Sequence, residues 1–262
     1  MTGTSDSGWA NGRVALVTGA TSGFGAALAR RLLRAGGRVI AAGRRAERLE
    51  ELAAEMKTDR LMVRPMDVRS DAEVTAALYG LPVDFQPIDI LFNGAGLALG
   101  LGKAHEAKWS DWETMIDTNV TGLARVTRAV LPGMVARNRG HVLNMGSVAA
   151  SYPYPGGNVY GATKAFVRQL TLNLRSDLLG TNVRVTAIEP GMCETEFSLV
   201  RFGGDETAAA KVYAGMRPLS AEDVVDVIES VLRLPSHINV NAVEVMPVQQ
   251  AFGAFAVART PV

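Results

Sequence analysis

The sequence predicts a single α/β domain: a doubly wound, seven-stranded parallel sheet with helices on both faces. Three observations predict it. Short aliphatic and β-branched runs alternate along the chain with longer stretches of helical period. The first run, residues 13–18, passes through a glycine-bearing turn directly into a helix. Neither a second composition regime nor a short repeat divides the chain.

Composition narrows the function. A length of 262 residues admits one large α/β domain or two small ones. Hydrophobic residues make up 48% and charged residues 20%, the balance of a soluble chain with a substantial core. A formal net charge of +1 makes no electrostatic case for nucleic acid or an acidic membrane. The one cysteine, Cys193, excludes an intrachain disulfide and a thiolate zinc cluster. His105, His141 and His237 have no ligand spacing, so no metal is expected and surface or capping roles fall to them. No apolar run reaches the ~18 residues of a spanning helix. Residues 1–11 are small and polar, unlike a signal peptide; they read as a flexible leader and the protein as cytoplasmic.

The first strand feeds Thr18-Gly19-Ala20-Thr21-Ser22-Gly23-Phe24-Gly25, and a helix over 26–34 stops at Gly36-Gly37. Gly19, Gly23 and Gly25 let the backbone turn tightly and approach a pyrophosphate seated on the positive helix N-terminus. With Thr21, Ser22 and Phe24 they form the expected dinucleotide turn, spaced Gly-x3-Gly-x-Gly instead of the commoner Gly-x-Gly-x2-Gly. The second strand, 38–42, ends in Gly43-Arg44-Arg45. An acid here grips a ribose 2′-hydroxyl, whereas arginine accommodates a 2′-phosphate, so NADP is expected over NAD, with Arg44 the main ligand. Arg45 also opens a helix over 45–57 and stands at the phosphate or in solvent.

The third strand, 61–66, delivers Asp67-Val68 to the ligand-binding edge. Asp67 accepts from the adenine amino group, caps the helix at 70–79, or both. The fourth strand, 88–92, delivers Asn93-Gly94-Ala95-Gly96, whose small side chains suit close passage of a cofactor. A helical region over 109–137, with interruptions expected at Gly122 and Pro132-Gly133, contains Asn119. Asparagine is a poor helix residue, which marks it for a local or site role. The fifth strand, 141–145, ends at Gly146-Ser147, and a Pro-, Gly- and Tyr-rich loop at 151–158 roofs the site.

The helix at 157–179 carries Tyr160 and Lys164, one turn apart on one face. An ammonium beside a phenol lowers its pKa from about 10, making a proton donor and acceptor near neutrality. The sixth strand, 182–188, leads to Glu189-Pro190-Gly191. Residues 192–219 read as a lid, 221–234 as a helix and 242–246 as the last strand. The catalytic domain therefore spans 12–250, and the apolar tail 251–262 is expected against a neighbouring subunit.

These motifs, in this order over residues 13–246, resemble the short-chain dehydrogenase/reductase family. The motifs are Thr18-Gly19-x3-Gly23-x-Gly25, Asp67, Asn93-x-Ala95-Gly96, Asn119, Ser147, Tyr160-x3-Lys164 and Pro190-Gly191. The resemblance implies a Rossmann-type fold, NADP(H), a small-molecule substrate and a homotetramer. It implies that Tyr160 is the general acid/base and that Lys164 depresses its pKa and holds the nicotinamide ribose. Ser147 then bonds the substrate oxygen, Asn119 anchors a water that relays protons to Lys164, and Thr195 contacts the carboxamide. Gly94, where many members have Ala or Asn, is expected only to add flexibility.

Further stretches, 42–49, 95–100, 111–119, 156–160 and 200–202, resemble bacterial NADP-dependent 3-hydroxy acid dehydrogenases, which act on serine, allo-threonine and 3-hydroxypropionate. Sulfoacetaldehyde reductases are similar too, and a broad ketone or diketone reductase is a third reading. A dinucleotide-sensing module without chemistry is a fourth, which the complete Asn119, Ser147, Tyr160 and Lys164 set disfavours. Arg201 forks onto a carboxylate or sulfonate, or is a solvated lid arginine. Tyr152 and Tyr154 line the substrate pocket or pack the loop, and Cys193 fills space.

Overall fold

Five consecutive buried side chains make β1 (Val14–Thr18) a strand covered on both faces. The structure, a computed structural model, describes residues 8–253. From β1 the chain runs through α1 (Gly23–Arg34), β2 (Arg38–Gly43), α2 (Ala46–Met56), β3 (Leu61–Pro65), α3 (Asp71–Leu78) and β4 (Ile90–Asn93). Then come α4 (Trp109–Ile116), α5 (Leu123–Ala136), β5 (Gly140–Met145), α6 (Asn158–Asp177) and β6 (Val183–Pro190). Two short helices, α7 (Glu196–Arg201) and α8 (Glu206–Lys211), precede α9 (Ala221–Arg233) and β7 (Ala242–Val245).

The strands form one seven-stranded sheet in the order β3-β2-β1-β4-β5-β6-β7, with every pair parallel. The order reverses between β1 and β4, which opens a crevice at the carboxyl ends of the strands. Alternation along β1 sorts the core. Ala15 and Val17 join Leu28 and Leu32 of α1 and Ile228 of α9 on one face. Val14 and Leu16 join Val74 of α3 and Val126 and Val130 of α5 on the other.

Three local expectations are corrected. Residues 8–11 are not loose: Ala10 is buried and its N–H bonds Ala35 O at 3.0 Å, with Trp9 packed on the same core. Residues 1–7 of the expected leader lie outside the described residues, as do 254–262 of the expected tail. The helical region over 109–137 is not broken; a π turn at Asp117–Gly122 joins α4 to α5. The second helix then continues through Pro132, whose missing N–H removes one bond while core contacts of Val130 and Met134 hold the segment. His141 is not at the surface; on β5 it is buried against Thr186 of β6 at 2.9 Å, and burial holds its pKa well below the usual histidine value.

Candidate active site

The carboxyl ends of β1 to β4 open onto a groove of about 350 Å³, bordered by the glycine turn, Arg44, Arg45, Asp67 and Val68. The N-terminus of α1 faces it with no anion of its own. Ser22 makes no side-chain cap and the first turn holds no acid. By contrast α9 closes its N-terminus with a Ser220–Asp223 capping box. Unpaired N–H groups and a positive dipole end are therefore left for a phosphate. Gly19 has φ 70°, and a Cβ there would stand 2.8 Å from Ala95 N, so only glycine lets the turn meet the loop after β4. Gly94 does more than add flexibility, because a Cβ would run into the Phe92 ring and stand 2.8 Å from Thr18 O.

The two arginines divide. Arg44 is exposed at the groove rim. Arg45 donates to Thr21 Oγ1 at 3.1 Å and to Glu196 of α7 at 2.9 Å. Asp67 does not cap α3; Ser70 does, accepting from Glu73 N at 3.2 Å. Asp67 instead holds Arg69 at 2.6 Å, and those hydrogen bonds keep its carboxyl below the usual aspartate range. Asn93 does not border the groove. As the last residue of β4 it points into the sheet–helix interior, donating to Thr127 Oγ1 at 2.8 Å and Asn144 Oδ1 at 2.9 Å.

Beyond the groove lies a cavity of about 520 Å³ that contains Ser147, Tyr160 and Lys164 in its wall, with Pro190, Gly191 and Thr195. The 3₁₀ turn after β5 sets Ser147, whose Oγ accepts from Ala149 N at 3.1 Å and which pulls the Tyr160 pKa down. Helix α6 presents Tyr160 and Lys164 together, with Lys164 Nζ 5.8 Å from the Tyr160 ring centroid. The expected lowering of the tyrosine pKa is reversed. Burial pushes Tyr160 up to about 12, against the pull of the Ser147 hydrogen bond and the Arg201 charge. Lys164 spends its ammonium on Met145 O at 2.7 Å, and burial brings it down to about 8. Tyr160 is thus a neutral acid near neutrality, beside a lysine able to exchange protons there.

Asn119 sits in the π turn, a local widening that recurs at functional sites. Its side chain clamps the loop after β4: Oδ1 accepts from Leu97 N at 2.9 Å, and Nδ2 donates to Leu97 O and Thr163 Oγ1. The side chain is fully engaged.

The cavity's outer wall comes from α7 and the loop before α6. Arg201 is not a solvated lid arginine: it donates to Tyr154 OH at 2.8 Å and to Gly100 O at 3.3 Å. Its Cζ lies 5.6 Å from the Tyr160 ring centroid. Tyr152 bonds Glu244 at 3.1 Å and stacks on Phe252 at 4.4 Å, so it packs the rim. Phe197, unforeseen, lies 5.5 Å from Tyr160; its i,i+4 spacing to Arg201 is the signal that pairs them on one face of α7. Tyr213, also unforeseen, donates to Cys193 O at 2.6 Å and contacts Ser198 at 2.6 Å; its weakly periodic surroundings carried no signal. Cys193 is buried in the core beside it, its thiol pushed up to about 12 by burial. Among the described residues no cluster of metal-ligating side chains occurs.

This arrangement has known counterparts. Residues 13–201 match the family described as short chain dehydrogenase. The chain belongs to that family. Among short-chain dehydrogenases, it is 56% identical to the NADP-dependent 3-hydroxy acid dehydrogenase YdfG of Escherichia coli (strain K12), covering 94% of this chain and 99% of that protein. It is 54% identical to serine 3-dehydrogenase of Rhizobium radiobacter, over 93% of this chain and 97% of the relative. Among solved structures, the closed form of serine dehydrogenase complexed with NADP+ superposes with a TM-score of 0.93 at 55% identity, covering 94% of this chain and 100% of that one.

Proposed function

We propose that the protein is an NADP(H)-dependent oxidoreductase that interconverts a small anionic 3-hydroxy acid, such as serine, allo-threonine or 3-hydroxypropionate, with its aldehyde. The observation that carries this reading is the Arg201 guanidinium 5.6 Å from the Tyr160 ring. A cation there takes the substrate carboxylate while the reacting oxygen, a short chain away, meets Ser147 and Tyr160. The names of the relatives support the same substrate class.

The groove fits the coenzyme. Arg44 takes the 2′-phosphate, the bare N-terminus of α1 the pyrophosphate and Asp67 the adenine amino group. Lys164 and Thr195 hold the nicotinamide end. When bound, NADP(H) supplies hydride in reduction and accepts it in oxidation. Ser147 and Tyr160 donate to the carbonyl oxygen as negative charge develops on it, and Tyr160 passes its proton there. Lys164, at about 8, exchanges protons near neutrality, through a water anchored by Asn119. Residues 192–219 act as the lid.

The protein acts as a cytoplasmic homotetramer. No helix among the described residues is long and apolar enough to cross a membrane, and Val135 of α5 with Phe166 and Leu172 of α6 leave apolar side chains exposed for a partner. Light scattering tests the assembly.

The substrate test follows NADPH absorbance with malonate semialdehyde, sulfoacetaldehyde and neutral diacetyl. Malonate semialdehyde should be preferred, and Arg201→Ala should lower its kcat/KM by about 10- to 100-fold, the worth of a charge-assisted hydrogen bond, while sparing diacetyl. Preference for the sulfonate would make the enzyme a sulfoacetaldehyde reductase. Activity on diacetyl alone would discard Arg201 as an anion ligand.

A further inference from the structure

One residue of the lid reaches back across the coenzyme groove without entering the chemistry. Glu196, the first residue of α7, places Oε2 2.9 Å from Arg45 Nη1 and Oε1 3.8 Å from Arg48 Nη2. Arg45 and Arg48 belong to the start of α2, on the opposite bank. Glu196 and Arg45 both border the groove, so their ion pair forms part of its rim. The remaining contacts of Arg45 go to Thr21 in the glycine turn, at Oγ1 and at the main-chain oxygen. Arg45 is thereby engaged by the phosphate-binding turn and the lid together, and exposed Arg44 beside it is the arginine that faces a 2′-phosphate.

We infer that Glu196, through Arg45, is a positioning residue: a clasp that holds α7 over the bound coenzyme, slows its departure and keeps Phe197 and Arg201 above the substrate. The lid needs such a tie, because α7 buries only Ser198 and α8 buries no side chain at all. A half-exposed ion pair adds little to global stability, yet it ties down the N-terminal end of α7, as the bonds of Arg201 to Tyr154 and Gly100 tie down the other end. The inference rests on the coenzyme assignment proposed above.

Stopped-flow displacement of NADPH, followed by nicotinamide fluorescence, tests it. Glu196→Gln should raise the dissociation rate roughly threefold, the size expected of a half-exposed ion pair, with association unchanged. NADH should leave faster by the same factor, because the clasp does not touch the 2′-phosphate. Ionic strength of about 1 M should erase the difference in rate between wild type and variant by screening the pair, and Glu196→Asp should recover part of the retention. An unchanged dissociation rate would overturn the clasp. So would tighter NADPH binding in Glu196→Gln with NADH unaffected, which would make Glu196 a competitor of the phosphate for Arg45. If the wild type bound neither nucleotide, the coenzyme assignment would fall and the clasp with it.

Discussion

The coenzyme groove draws part of its wall from main chain, in the glycine turn, the open end of α1 and the loop Gly94-Ala95-Gly96 after β4, with Arg44, Arg45 and Asp67 adding side chains at its border. The cavity beyond it is walled by side chains from distant parts of the chain, with Ser147 after β5, Tyr154 in the next loop, Tyr160 on α6, Phe197 and Arg201 on α7 and Tyr213 after α8. A main-chain wall asks for glycines and strand ends at fixed spacing, which is a local property. A side-chain wall is assembled only when the sheet brings those segments together. The groove therefore admits no side chain at glycines such as Gly19 and Gly94, while the cavity concentrates its chemistry in a few groups.

The sharpest way to separate the halves is Tyr160→Phe. It should lower kcat roughly 10³-fold through loss of the proton donor and leave NADPH affinity in place by fluorescence titration. Loss of NADPH binding along with activity would show that the halves are not separable.

Lys164 stands where they meet. Burial puts its folded-state pKa at about 8 against 10.5 for the ordinary side chain. The unfolded chain thus binds more protons between those two values, and stability rises with pH across that window as the buried ammonium is neutralised. Lys164→Met should accordingly stabilise the fold at pH 7 by about 3 kcal/mol while abolishing turnover. In urea unfolding, that gap should shrink from pH 8 to 10.5. A gap independent of pH would mean that the ammonium pays no desolvation cost.

Arg44→Ala sharpens the coenzyme side with the smallest effect. NADPH affinity should fall about tenfold, as for one exposed charge-assisted contact, and NADH affinity should hold. Equal weakening of both coenzymes would place the 2′-phosphate elsewhere.

The misread residues share a cause. Asn93 stands in a loop motif of small residues, but the pleat turns its side chain inward to Thr127 and Asn144, and no spacing reports that direction. Asp67 fits two roles on sequence, and in the structure Ser70 takes the cap of α3. The Tyr160–Lys164 pair is legible as helix spacing. Its electrostatics are not, because desolvation depends on what covers the pair, and the ammonium finds Met145 O.

By itself the sequence determined the alternation of strands and helices, the glycine turn between β1 and α1, the arginines in place of an acid after β2, and the one-turn spacing of Tyr160 and Lys164. Each of these follows from periodicity, glycine spacing or residue chemistry within a few positions. The tertiary structure decided that Arg201 faces Tyr160, that Arg45 pairs with Glu196 of α7, that Asn93 and His141 are interior residues, and that burial raises the Tyr160 pKa. Those outcomes depend on burial and on partners up to about 150 residues away in sequence, and both arise only once the sheet has closed.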